Sequence, residues 1–209
     1  MKKISLITFA LFAALISSQA QVKVSPGLRG GLNLARLTNI DDNNVKSDYY
    51  IGGLVEIKFN KYFTLQPELT YSRQGSEGRE YTISPDDYVS FRQVKYDLNY
   101  ITVGAVAKFN FHGSGFHILA GPSLDLKTDD NFGRYGYDPI DVDLAFTGGI
   151  GYTLPNGLTF EARFKQGLID IYGYDDLDYH NNNNDYYYYD NVILNQVFQF
   201  GISYTFKTK

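Results

Sequence analysis

The sequence predicts an all-β fold, an eight-stranded antiparallel up-and-down transmembrane β-barrel. Three observations predict it. Stretch after stretch alternates apolar and polar residues with a period of two, which sends successive side chains to opposite faces of a strand. The connections between these stretches alternate long and short. The chain also opens with an export signal. The alternation is clearest from Gly157 to Ile169, where Leu158, Phe160, Ala162, Phe164 and Leu168 share one face and Thr159, Glu161, Arg163 and Lys165 the other.

The signal comes first in the 209-residue chain. Met1-Lys2-Lys3 precedes an apolar run from Ile4 to Ile16, followed by Ser17-Ser18-Gln19-Ala20-Gln21. A basic start, a short apolar core and a small-x-small site describe a secretory signal peptide, with cleavage after Ala20. The run is too short for a spanning helix, which needs about 20 residues. The expected organisation is therefore a cleaved segment, 1–20, and one barrel domain, 21–209. Removing Lys2 and Lys3 leaves 17 basic against 23 acidic residues, a formal charge of −6. That balance argues against nucleic acid as a partner. The chain has no cysteine, so core or membrane must hold it together without disulfides. No later apolar run is long enough for a membrane helix. A membrane location then requires a closed barrel, the other structure that satisfies every backbone group in lipid.

The first strand is expected at Gly27–Leu37, with Leu28, Gly30, Leu32 and Leu34 opposing Arg29, Gly31, Asn33 and Ala35. Asp- and Asn-rich residues 38–48 favour turns. In the second strand, Tyr49–Phe59, Ile51, Val55, Ile57 and Phe59 oppose Glu56 and Lys58. Asn60-Lys61 leads directly to the third, Tyr62–Arg73, where Phe63, Leu65, Leu69 and Tyr71 oppose Thr64, Gln66, Glu68, Thr70 and Ser72. Pro67 has no ladder donor and marks a bulge or a weakened edge. Residues 74–96 read as a long polar connection. The fourth strand, Asp97–Phe109, sets Ile101, Val103, Ala105, Ala107 and Phe109 against Tyr100, Thr102, Gly104 and Lys108. A short link precedes the fifth, Phe116–Leu126, in which His117, Gly121, Ser123 and Asp125 share the polar face. Residues 127–140 form another long connection. The sixth strand, Asp141–Leu154, sets Val142, Leu144, Phe146, Ile150 and Tyr152 against Asp143, Thr147, Gly149 and Gly151. Pro155-Asn156-Gly157 is a tight turn, since Asn and Gly accept positive φ. The seventh strand follows, then the long segment 170–190, then the eighth, Asn191–Lys207, where Phe198, Phe200, Ile202, Tyr204 and Phe206 oppose Gln199, Gly201, Ser203 and Thr205.

Seven connections alternating long and short describe an outer-membrane barrel with short periplasmic turns, longer external loops and periplasmic termini. Strands of about ten residues match a tilted crossing of the bilayer. Tyr49, Tyr50, Tyr62, Tyr71, Tyr100, Tyr152, Tyr172 and Tyr204 lie near strand ends, where aromatic girdles belong. The soluble alternative is a lipocalin-like barrel with the two faces reversed and a hydrophobic ligand inside.

Three segments carry a resemblance: Gly27-Leu28-Arg29-Gly30-Gly31-Leu32-Asn33-Leu34, Leu65-Gln66-Pro67-Glu68-Leu69-Thr70-Tyr71-Ser72, and Phe200-Gly201-Ile202-Ser203-Tyr204-Thr205-Phe206-Lys207. With them, nearly the whole mature chain resembles the PorT-like outer-membrane β-barrel proteins of Bacteroidetes-type bacteria. The resemblance implies an outer-membrane barrel, and some members of that family are linked to protein secretion or gliding. It also makes Pro67 a family feature. The chain departs from many such barrels in ending Phe206-Lys207-Thr208-Lys209 rather than on an aromatic residue.

The polar face places Arg29, Glu56, Lys58, Glu68, Lys108, Asp125, Asp143, Glu161, Arg163 and Lys165 in the lumen. Their near balance of sign suits an ion-pair network that fills a narrow barrel, with Glu161 expected to pair with a lumen Arg or Lys. The alternative use of the same residues is the charged constriction of a small pore for ions or solutes. His112, His117 and His180 fall in a periplasmic turn, the lumen and an outer loop, so neither a metal cluster nor a Ser-His-Asp arrangement is visible. No cofactor and no enzymatic activity are expected, the catalytic alternative being a lipid-modifying envelope enzyme. The last outer loop interleaves Tyr172, Tyr174, Tyr179, Tyr186, Tyr187, Tyr188 and Tyr189 with Asp170, Asp175, Asp176, Asp178, Asp185, Asp190 and Asn181–Asn184. Tyrosine gives large amphipathic contact area at low entropic cost, which suits a binding surface. A solvated strand-extending loop is the plainer reading. The acids could also take calcium, though their spacing is not that of an EF-hand. The expected partners are outer-membrane lipid and a protein or surface ligand at the external loops. The expected role is structural or surface-binding.

Overall fold

The computed structural model describes residues 22–39, 44–83, 89–111, 114–135, 138–172 and 192–206. Eight antiparallel strands close into one barrel in sequence order: β1 (Lys23–Leu37), β2 (Lys46–Lys58), β3 (Phe63–Ile83), β4 (Val89–Asn110), β5 (Phe116–Asp130), β6 (Val142–Thr153), β7 (Leu158–Gly167) and β8 (Asn195–Thr205). Closure is made by β1 on β8, with Gly27↔Thr205 at one end and Leu37↔Asn195 at the other. A closed ring leaves no unpaired edge inside the bilayer.

The alternation decides which way the barrel faces. Leu28 and Leu32 are 60% and 59% exposed, whereas Arg29 between them is 5% exposed. The same holds around the ring: Ile51, Leu69, Val103, Phe146, Ile150, Phe160, Phe200 and Ile202 point outward, and Glu56, Thr70, Lys108, Asp125, Thr147, Glu161 and Arg163 point inward. An apolar belt outside a polar interior is the arrangement that lipid stabilises and water does not. This removes the lipocalin-like alternative, which needs the reverse.

Four differences from the sequence expectation have physical causes. β3 and β4 stay paired far beyond residues 73 and 97, up to Ile83↔Val89, so most of the expected long connection is a projecting hairpin. Outside the bilayer a strand needs no apolar face, and backbone pairing alone continues it. Pro67 makes no bulge: β2–β3 pairing reaches Leu54↔Glu68 and resumes in the same register at Ile57↔Leu65. The missing N–H interrupts the ladder without shifting it. The irregularity falls instead between Asn99 and Tyr100, on the β5 side of β4. Finally, three tyrosines do not join the girdle. Tyr50 and Tyr100 are buried inside the barrel, because their strand parity is the lumen parity. Tyr172 packs beneath the outer rim. Tyr49, Tyr62, Tyr152 and Tyr204 do face outward.

Candidate functional site

The lumen is filled in three layers. The layer nearest the short turns holds Lys108, whose Nζ lies 2.8 Å from Glu161 and 3.4 Å from Glu56. His117, 0% exposed, has its Nε2 3.5 Å from the same Glu161 oxygen. Gly151 stands opposite on β6. A Cβ there would meet the His117 ring, with Cε1 at 2.7 Å, and Glu161 Cγ at 3.0 Å, so its lack of a side chain is what admits the imidazole. Lys58 was expected inside, but its side chain is 43% exposed at the rim, where it caps Glu56 at 3.1 Å. It ends its strand, and its long stem reaches water.

The middle layer is held by Arg163. Its guanidinium donates to both Glu68 oxygens, at 2.8 and 2.9 Å, and to Glu161 at 2.7 and 3.0 Å. Arg29 also pairs with Glu68, donates to the Tyr50 hydroxyl at 3.3 Å and lies 4.8 Å from the centre of that ring. A planar fork can serve two carboxylates at once where an ammonium cannot. Lys165 belongs to neither cluster. It pairs with Asp125, with Thr102 donating to the same carboxylate at 2.7 Å. Asn33, Ser72, Gln74, Asn195 and Gln199 complete this level as a connected polar network.

The outer mouth changes character. Leu37, Leu98, Tyr100, Phe132 and Ile171 form an apolar cluster, with Tyr96, Tyr172 and Ile193 against it. Phe132, on a short 3-10 helix (Phe132–Tyr135), sits 5.0 Å from Tyr96 and 6.3 Å from Tyr172, ring centre to ring centre. This apolar lid closes the lumen from outside. Lys46 and Arg73 lie at the rim below it, the first 2.6 Å from Asp97 and 3.0 Å from Asp48, the second 3.2 Å from Asp48.

The last loop is clamped at its root. Ile171 donates to Ile193, and Ile140 to Ile171. Asp170 accepts from the backbone of Tyr172 and Ile193, at 3.0 and 3.1 Å. Thr38 and Leu194 bond both ways. Tyr172 is therefore part of the lid and not of a free binding surface. Tyr174, Tyr179 and Tyr186–Tyr189 lie outside the described residues, as do His112 and His180.

Most lumen carboxylates are held in ion pairs, whereas Asp143, 1% exposed, has no ion-pair partner among the described residues and its Oδ2 accepts no hydrogen bond there. Each of Glu68, Glu161, Asp125 and Glu56 is within ion-pair distance of a cation. Among the described residues no group of three metal-ligating side chains converges. Sequence reasoning missed the Tyr50–Arg29 contact, the approach of His117 to Glu161, and the lid. The lid did leave a signal, since Leu37, Leu98 and Tyr100 are apolar residues on the lumen parity near outer strand ends.

The family described as outer membrane protein beta-barrel domain matches residues 19–173. No curated relative matches the chain. Among solved structures, the chain is similar to Ail of Yersinia pestis in complex with the heparin analogue sucrose octasulfate, at 12% identity and TM-score 0.46, covering 88% of this chain and 99% of that one. It is similar to Neisserial surface protein A at 10% identity and TM-score 0.49, with the same two coverages. OprG of Pseudomonas aeruginosa matches at 14% identity and TM-score 0.45, covering 90% of this chain and 98% of that one.

Proposed function

This chain belongs to the outer-membrane protein β-barrel domain family, and from that premise we propose that it is a non-conducting, non-catalytic surface barrel. It uses its external loops to bind a protein or another surface ligand. One observation carries the reading: the lumen is occupied by paired charges and closed above by an apolar lid. A filled and lidded barrel leaves the outer face as the place where the chain meets its surroundings. The Tyr- and Asp-rich stretch 170–190 suits contact better than catalysis. Residues 1–20 act in this reading as a cleaved export signal, and the resemblance of the three segments named above to PorT-like proteins supports an origin in a Bacteroidetes-type cell envelope.

Two experiments test the proposal together. The refolded protein in a planar bilayer is expected to give no stable unitary currents, and reproducible channels would replace the binding role with a pore. Intact cells carrying the full chain are then compared with cells in which 174–190 is replaced by a Gly-Ser linker. Surface cross-linking is expected to capture a partner only with the first. Equal capture by both removes the loop from the function. Mass spectrometry of lipid A from a deletion strain is expected to show no change.

A further inference from the structure

The lipid-facing side of the wall is apolar almost throughout, and Arg36 breaks it. On the outward parity of β6, β7, β8 and β1 it is the only charged residue. It is exposed, stands near the outer end of β1 and heads a hydrogen-bonded row across three strands. Its Nε donates to Gln196 Oε1 at 2.9 Å, and Gln196 Nε2 donates to Gln166 Oε1 at 2.7 Å. We propose that this row is a docking site for a phosphate group of the lipids in the outer leaflet.

Charge argues first. Among the described residues no carboxylate pairs with Arg36, and its bond to Gln196 is the only hydrogen bond it makes. Arg73, also on an outward face near an outer strand end, is already engaged: Asp48 lies at 3.2 Å and the centre of the Tyr49 ring at 5.7 Å. Arg36 therefore carries an uncompensated positive charge on the outside of the wall. Gln196 holds its Nε and leaves both terminal nitrogens as a fork, the geometry that phosphate oxygens match in pairs. Position argues next. The neighbouring outward residues toward the bilayer middle are Leu34, Phe198 and Phe164, register partners on the same three strands. Phe198 is 47% exposed, and its ring centre lies 4.8 Å from that of Phe164. On the far side of the row Leu168 is 53% exposed. A cation held among apolar residues at the edge of the hydrocarbon is costly without an anion. Acyl chains resting on Phe164 and Phe198 bring a phosphate to it, an anchorage that free phosphate lacks. A second copy of the chain fits worse, because an isologous contact sets like charges together. This inference does not depend on what the outer loops bind.

The test titrates the full-length protein, folded in a non-ionic detergent, with lipid A, and reads by native mass spectrometry the fraction of chains that carry one lipid. Phosphorylated lipid A is expected to bind along a saturating curve, and its dephosphorylated form to bind weakly. Arg36→Gln leaves the lumen untouched. It is expected to need about ten-fold more lipid A for half-saturation, the scale of one charge-assisted hydrogen bond. Arg73→Gln is expected to keep the parental curve, because that guanidinium already serves Asp48. Equal curves for the parent and Arg36→Gln overturn the proposal, as do equal curves for the two forms of the lipid. So does an equal loss in Arg73→Gln, which would make the effect one of overall charge. Displacement of lipid A by an equal concentration of inorganic phosphate would make the site one for the free ion. Paired chains without lipid would make it a contact between copies. Either result also overturns the proposal.

Discussion

Arg163 is placed where its single guanidinium must satisfy Glu68 and Glu161 together. Charges this deeply buried are stable only while every partner is present. Glu161→Gln keeps the shape but leaves Arg163 and Lys108 short of one negative charge. It is expected to lower stability by about 3–5 kcal/mol, read as an earlier urea midpoint in detergent. A midpoint equal to that of the parent would mean that the network is not what holds the lumen. At the outer rim Lys127 answers to a different balance. Burial pulls its pKa down, but Asp130 and Asp141, at 3.0 and 3.3 Å, outweigh it and leave the value raised. A raised lysine contributes its full stabilisation below the unfolded value of about 10.4 and loses it as pH climbs through the folded one. In an NMR titration of 13C-methylated lysines, Lys127 is expected to titrate above the ordinary range, and Asp141→Asn to bring it down. Which side Arg163, Glu68, Glu161 and Lys108 face was legible from parity alone, whereas Lys127 fell in an expected connection and had no face assigned. Which carboxylate each cation reaches was not legible, because that depends on strand register and on side chains crossing the lumen. Lys58 shows the limit from the other direction: its parity is inward, yet its place at the strand end lets its charge leave.

At the scale of single strands, glycine and bulk are matched between neighbouring strands. Gly151 on β6 faces the His117 ring on β5, and the two are register partners. Gly151→Ala is expected to reduce the heat-resistant folded fraction on SDS gels, because the new methyl collides with a side chain that is fully enclosed. The double variant with His117→Ala is expected to recover it, since the methyl then meets freed space. Failure of the second change to rescue would place the strain in the backbone. The lengths of the elements were less legible than their number. β7 was read to within two residues at each end, because both its faces are under selection by lipid and lumen. β3 and β4 were read short, because the residues beyond Arg73 and before Asp97 have no lipid to face and so show no apolar period. Tyr50 and Tyr100 teach the same lesson in miniature. Nearness to a strand end suggested the girdle, whereas parity, the stronger physical constraint, sends both rings inside.

For the molecule as a whole, orientation is the property on which everything rests. Phe200 sits midway along β8 and is half exposed on the apolar belt. Phe200→Arg is expected to destabilise the barrel in lipid by about 2–4 kcal/mol, the cost of a cation near the bilayer midplane. In a folding assay with lipid vesicles this appears as a lower urea midpoint. A variant as stable as the parent would argue that the belt does not meet hydrocarbon. The eight-strand count and the inside-out sense are readable in the sequence, since they follow from periodicity and connection length. The lid was not, because it is assembled from β1, β4, a 3-10 turn and a loop root, four places that only the closed ring brings together.

The clamp at the base of the last loop makes that position a socket. Its bonds run between main-chain groups and the side chains of Thr38 and Asp170, and none of these partners belongs to the stretch from 174 to 190. The bonds of this clamp are therefore independent of which residues stand from 174 to 190. Mutation, recombination or a grafted foreign epitope in that stretch would leave each of these clamp partners in the chain.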